Sequence, residues 1–324
     1  MNYQIIESRR VNLGKFNPIN KCCSSFVSHN VTWICSKKLG LFDTHTLNKM
    51  NNVCFKSFLP LLLFFNIYNT DLDGSLNFKL MAVAVIIIFS IFLILVFIIP
   101  KIEKDNKTRG ALIQGVFRSN FVIFGIPVTI SLFGDKSIGV TSLLIAVIVP
   151  MFNVLSVVIL EIFRGGKVNI RHMIKSVLTN PLIIASFIGL TMLILNINIP
   201  TFLHKTIGDI SKIATPLSLI ILGGSFSFSA IKGHIKTIIL GVCGKLILVP
   251  SIFLPISIFL GFRNVELTSL MIMLSAPTAV SSFTMAQQMD SDSELAGQIV
   301  VFTSGFSIIT VFLIIFILKQ NNLI

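Results

Sequence analysis

Two stretches of this chain, Leu80 to Ile99 and Ile299 to Leu318, each run for 20 residues without a charged side chain. About 20 apolar residues are what a helix needs to cross a bilayer core of about 30 Å. Strands of a membrane β-barrel alternate apolar and polar residues, and these runs do not. Helices are therefore the expected spanning elements, because in lipid every backbone N–H and C=O must find a partner inside the protein. Composition agrees: 54% of the 324 residues are hydrophobic, 12% are charged, and the mean hydropathy is +0.90. A water-soluble domain is excluded, and the length leaves room for roughly ten spans.

Apolar length and punctuation by Gly, Pro and charge predict nine spans, at 53–69, 78–99, 111–133, 138–162, 177–196, 207–228, 237–260, 266–288 and 295–318. The 26 Lys+Arg against 13 Asp+Glu give a net charge of +13, which on a soluble protein would raise the question of nucleic acid. Here the basic residues collect in alternate loops, as cytoplasmic loops of membrane proteins do, and no nucleic-acid partner is expected. Lys101, Lys104, Lys107 and Arg109 mark one such loop, Arg164, Lys167, Arg171 and Lys175 a second, and Lys232 and Lys236 a third. This places the N-terminus inside and the C-terminus outside, with Asp290, Asp292 and Glu294 as an acidic exception on the inner side. The five cysteines show neither CxxC nor metal-ligand spacing, so no metal site is expected. No cleavable signal peptide is expected, since no apolar stretch follows Arg9 and Arg10 in the first 20 residues.

The two halves echo each other. Phe58-Leu59-Pro60-Leu61-Leu62-Leu63 parallels Ala214-Thr215-Pro216-Leu217-Ser218-Leu219, and Gly125-Ile126-Pro127 parallels Ser275-Ala276-Pro277. Repeats with an odd number of spans insert in opposite orientations, giving inverted topology. The expected organisation is a segment 1–36 outside the membrane, a first repeat at 37–163 with four spans, a basic cytoplasmic loop at 164–176, and a second repeat at 177–324 with five. Residues 1–36 hold Trp33, three cysteines and several basic residues but no apolar run long enough to span.

Pro127 and Pro277 sit mid-span in corresponding positions, among small and polar residues: Arg118, Ser119, Asn120, Gly125 and Thr129 around the first, Ser275, Thr278, Ser281, Ser282 and Thr284 around the second. Paired interrupted helices are the best sequence pointer to a transporter's central site. Asn120 offers an amide at bilayer depth, suited to a carboxylate or hydroxyl, or else to an interhelical hydrogen bond. Ionisable residues inside spans are functional hypotheses by default. Arg118 is placed to attract an anion or compensate one, Asp209 to pair with a cation or proton or to reach interfacial water, and Lys245 to carry charge deep in its helix. The substrate-binding set is thus Asn120, Ser119, Gly125, Pro127, Pro277, Thr278 and Ser281, with Arg118, Asp209 and Lys245 as charge or ion-coupling candidates. No HExxH, GxSxG, P-loop or GxGxxG motif is present, so no catalytic residue is expected. Concentrative transport would then draw on an ion gradient or a partner.

Lys38-Leu39-Gly40-Leu41, the Phe58 to Leu63 proline helix, Arg118-Ser119-Asn120 with Gly125-Ile126-Pro127-Val128, Thr215-Pro216-Leu217-Ser218-Leu219 with Gly223, and Ala276-Pro277-Thr278-Ala279 leading to Ala296 and Val300-Val301 occur in an order that resembles the auxin efflux carrier family over about residues 34–320. The resemblance implies an all-α polytopic carrier of two inverted five-helix repeats, similar in fold to bile-acid sodium symporters, with crossed discontinuous helices at Pro127 and Pro277. It implies that Asn120 resembles the asparagine that contacts the auxin carboxylate in plant relatives. It also implies a first apolar helix before Lys37. That helix is expected to be missing or degraded in this sequence, through a frameshift or misassigned start, or as a true nine-helix variant. The expected function is secondary transport of a small organic anion, a dicarboxylate such as malate or malonate or an auxin-like carboxylate, by alternating access. The alternative is a passive channel or non-transporting receptor on the same scaffold. No cofactor is expected, with H+ or Na+ as coupling ion; membrane lipid and a second copy of the chain, as a homodimer, complete the expected partners. Abundant Ile, Asn, Lys and Phe suit an AT-rich bacterial genome and hence a multi-pass protein of a bacterial cell membrane.

Overall fold

In a computed structural model of the chain, residues 43–70, 77–165, 170–227 and 231–324 are described. The segment 1–36 and the Lys38 to Leu41 stretch lie outside them. The described residues form helices and no strand: α1 (Thr44–Tyr68), α2 (Phe78–Ile102), the pair α3 (Asn106–Phe117) and α4 (Phe121–Phe133), α5 (Ile138–Ile162), the pair α6 (Ile170–Thr179) and α7 (Pro181–Ile194), α8 (Thr201–Ser225), α9 (Gly233–Phe259), the pair α10 (Asn264–Ser275) and α11 (Ser281–Gln288), and α12 (Ser293–Gln320). Among them 7 spans are long and apolar enough to cross a membrane, the α3–α4 pair counting as one, and the bent α6–α7 pair makes up to 8. The predicted span 266–288 is instead two short helices around the non-helical residues 276–280.

Starts of helices follow capping chemistry. Asp43, Asn77, Asp105, Asn180 and Asp292 each accept a bond from a backbone N–H of the first turn they precede. Asp105 accepts from Thr108 N at 2.8 Å, and that bond holds its carboxyl below the ordinary carboxylate range. A depressed carboxylate stabilises above its unfolded value of about 3.9, and the effect is lost as pH falls through the lower folded value. Asp105→Ala is expected to cost about 1 kcal/mol at neutral pH. In melts of detergent-purified protein the difference from wild type should disappear on acidification below about pH 4; a pH-independent difference would contradict it.

The helix α6 occupies part of what the sequence predicts as the 164–176 loop. Asn180 and Pro181 end it and start α7 at an angle of 56°. None of its side chains is buried, and Ile170, Ile174 and Leu178 form an exposed apolar stripe beside Arg171 and Lys175. Such a stripe suits a helix lying in the membrane interface.

Bonds across the bundle sort the loops into two ends. At one, Lys107 pairs with Asp290 at 2.8 Å, Thr108 donates to Asp292 at 2.9 Å, and Gln287 donates to Asn48 at 2.7 Å. At the other, Tyr68 donates to the Ile197 carbonyl at 3.2 Å, Lys79 to the Leu260 carbonyl at 2.8 Å, and the amide of Asn264 to the Leu323 carbonyl at 2.9 Å. The first end carries the basic loops, and it is there that the acidic connector finds its cations. Asp290 and Asp292 thus belong on the basic side.

The helices α1, α7 and α8 pack together, and α2 to α5 pack with α9 to α12. The two groups meet where α7 and α1 touch α5 and where α1 and α8 touch α11. Every residue from Gly110 to Phe117 in α3 and from Leu267 to Ser275 in α10 is buried, so these half-helices form the centre of the larger group. Ile299 of α12 wedges against Gly115 of α3 and Gly241 of α9, where an added Cβ would stand 3.0 and 2.9 Å from its side chain. The close approach of these three helices requires glycine at both positions. Large apolar side chains such as Phe89, Phe97, Phe187 and Phe259 face outward, as lipid-facing residues do.

Candidate functional site

The break between α10 and α11 follows from a local rule. A residue before proline avoids the α region, and Ala276 takes ψ 150° ahead of Pro277. The break between α3 and α4 contains no proline. Arg118 is extended, with ψ 126°, and Asn120 has ψ 54°. Ser119 and Asn120 compete with the helix for backbone partners, and the second break supplies others. The Asn120 amide donates to the Pro277 carbonyl at 2.8 Å. The Thr278 hydroxyl donates to the Gly115 carbonyl at 2.6 Å, and the Ser119 hydroxyl donates to the Met273 carbonyl. Each broken segment therefore satisfies backbone groups that the other leaves open.

This geometry corrects the expectation of a crossing at Pro127. Pro127 lies inside α4, which continues through it. It removes a donor to the carbonyl of Ile123 without ending the helix. The chain unwinds at Arg118 to Asn120 instead, and of the two prolines only Pro277 stands at a break.

A cavity of about 280 Å³ opens beside the crossing, between the two helix groups. Arg118, Ser119, Asn120 and Ser281 line it from the breaks, Asn153 from α5, Asn66 from α1, and Thr215 and Ser218 from α8. Arg118 is 4% exposed and donates to Asn153 Oδ1 at 2.8 Å, to Ser281 Oγ at 2.8 Å and to Ser156 Oγ at 3.3 Å, with Met285 Sδ also against it. All four partners are neutral. Behind the cavity wall Lys245, 1% exposed, donates to the hydroxyl of Ser119. Among the described residues no aspartate or glutamate bonds to either group; the Glu161 side chain, 7% exposed, pairs with Arg164, and that ion pair, like Lys107–Asp290, lies toward the ends of the bundle. The side-chain nitrogen Nδ2 of Asn120, a residue 7% exposed, is buried without a partner.

A buried guanidinium, a buried lysine amine and an unsatisfied N–H donor, with no carboxylate beside them, form an environment for an anion. A buried charge is costly unless it is paired. The C-terminal ends of α3 and α10 meet at the crossing and compensate part of this charge through their dipoles, while the N-terminal ends of α4 and α11 add positive potential. A carboxylate in the cavity would meet a guanidinium suited to two-point recognition.

The structure brings Arg118, Ser119, Asn120 and Ser281 to the cavity and sets Lys245 and Pro277 directly behind it. Thr278 has its hydroxyl spent on Gly115 and its amide bonded to Thr303 Oγ1 at 3.2 Å, which fastens the crossing. Gly125 packs against the Phe121 ring and the Thr141 methyl, each 3.1 Å from where its Cβ would stand, and does not line the cavity. Asp209 is exposed and pairs with Lys212 at 2.8 Å on the outside of α8, away from the site. Asn153, Ser156 and Asn66 are additional residues that the sequence reading missed. Asn153 and Ser156 are polar residues one helical turn apart in the apolar middle of α5, a pattern that marks a functional face in a membrane helix.

Sequence comparison agrees with this architecture. A family of membrane transport proteins, that of the auxin efflux carriers, matches residues 26–315. The chain belongs to that family. An uncharacterized transporter of Methanocaldococcus jannaschii is 22% identical, the match covering 85% of this chain and 91% of the relative. An uncharacterized transporter of Methanothermobacter thermautotrophicus is 25% identical over 85% of this chain and 90% of its own length. For an auxin efflux carrier family member, a cavity at crossed broken helices is where a transported molecule would sit. The chain is thus a multi-pass membrane transport protein, and the family assignment points to transport instead of catalysis.

Proposed function

We propose that the protein is a secondary carrier of a small organic anion, a dicarboxylate such as malate or malonate, in the cell membrane. The observation that carries this reading is the Arg118 guanidinium, buried at the cavity with only neutral acceptors, next to the unpartnered side-chain nitrogen of Asn120. One carboxylate docks on Arg118 in place of Asn153 or Ser281, and Asn120 donates to it or to a substrate hydroxyl. The inverted repeats read from the sequence supply the alternating access: the group holding the crossed helices moves against α1, α7 and α8, and the cavity between them opens to either side in turn. An auxin-like monocarboxylate fits the same anchor and leaves more positive charge unpaired, so the dicarboxylate is favoured.

Purified protein in proteoliposomes is expected to show saturable counterflow of labelled malonate or malate. Asn120→Ala removes one hydrogen bond to a charged group, about 1.5 kcal/mol, so its apparent KM should rise about ten-fold with the maximal rate less affected. Unchanged uptake and affinity in Asn120→Ala would remove that residue from the site. Absence of saturable counterflow across a panel of dicarboxylates and indole acids would overturn the carrier in favour of a channel or receptor.

A further inference from the structure

We infer that the carrier works chiefly as an exchanger, returning across the membrane far more readily with an anion bound than empty. The inference rests on the proposed anion site and concerns how that site moves. Arg118 and Lys245 both belong to the larger helix group, on the α3–α4 break and in α9, and both are buried to at least nine-tenths. Their bonds go to Asn153, Ser281, Ser156 and Met285, and to Ser119, none of which carries a charge. Among the described residues no carboxylate is buried with them, so nothing on the moving group cancels the two charges. The neighbouring helix ends offset only a part of them.

When the cavity is open to one side, water screens the site. Between the two open states water is expelled, and uncompensated charge is then least tolerable. A bound dianion brings two negative charges to the two cations, so the loaded intermediate is close to neutral. The empty intermediate must either carry both positive charges through the occluded state and the transmembrane potential or first release the lysine's proton, and each course slows it. The loaded crossing is therefore fast and the empty return slow, which makes efflux of one anion depend on entry of another. Ser119 accepts from Lys245 and lines the cavity, so the second cation stands one hydrogen bond behind the substrate, within reach of its charge.

Proteoliposomes preloaded with labelled malonate provide the test. Efflux into buffer containing unlabelled malonate is expected to be at least about ten-fold faster than efflux into malonate-free buffer, a difference of about 1.4 kcal/mol in barrier. An inside-negative potential set with potassium and valinomycin should speed the malonate-free efflux, whose rate-limiting return carries positive charge inward, and leave the exchange rate unchanged. In Lys245→Gln, which keeps a donor for Ser119 and loses the charge, the ratio of the two rates should fall toward one. Because a ratio is measured, a lower yield of folded protein does not alter the reading, and the potential measurement uses the wild type alone. Equal efflux with and without external malonate overturns the exchange mode and leaves the carrier standing. Efflux in neither condition overturns both.

Discussion

Arg118→Gln is expected to lower dicarboxylate uptake by about 150-fold while the protein remains folded. Among the described residues the guanidinium is the one charged group that lines the cavity, and losing a buried charge partner for a bound anion costs about 3 kcal/mol, which is about 150-fold in affinity. Stability should not follow activity. Arg118 is a buried cation bonded only to neutral groups, so its removal relieves a desolvation cost while leaving Asn153 and Ser281 short of a donor. Arg118→Lys keeps the charge but loses the planar fork, and should retain an intermediate rate. Uptake by Arg118→Gln within two-fold of wild type would dismiss Arg118 as the anchor.

Asn153→Asp separates site occupancy from folding still more sharply. Asn153 Oδ1 already accepts from Arg118 at 2.8 Å, so the substitution places a tethered carboxylate where the substrate carboxylate would bind. At an effective dielectric near 20, two unit charges about 4 Å apart attract by about 4 kcal/mol. An external anion must displace that partner, and uptake should fall about 100-fold or more. Thermal stability in detergent should rise, because a buried cation gains a counter-charge. Activity down with stability up is a combination that misfolding does not produce. Loss of both stability and uptake in Asn153→Asp would mean that Asn153 is a packing residue.

Much of this was legible from residue types and order. Runs such as Leu80–Ile99 can only be spans or buried helices, and alternating basic loops sort them by side. Pro277 marks a true break because a proline acts on the residue before it. Pro127 misled for the converse reason: one proline costs a helix a single donor, and where the surroundings accept that cost the helix runs on. What breaks the first segment is tertiary, namely the Pro277 carbonyl that Asn120 reaches and the acceptors that Arg118 finds on α5 and α11. Charge alone could not place Asp209 or Lys245. Asp209 lies one helical turn from Lys212 and resolves locally, whereas Lys245 has its partner 126 residues away. Asn153 was hidden by its setting, one amide in a long apolar helix, although its polarity there was the signal.

At the centre of the crossing is a bond between main-chain atoms alone, from the Asn120 amide to the Pro277 carbonyl. Such a bond survives exchange of the side chains around it, provided both segments keep their course. The walls of the cavity can therefore drift while its frame stays put, and cargo can be re-specified one side chain at a time without rebuilding the carrier. Relatives sharing as little as 22% of their residues over most of their length are what such tolerance would produce.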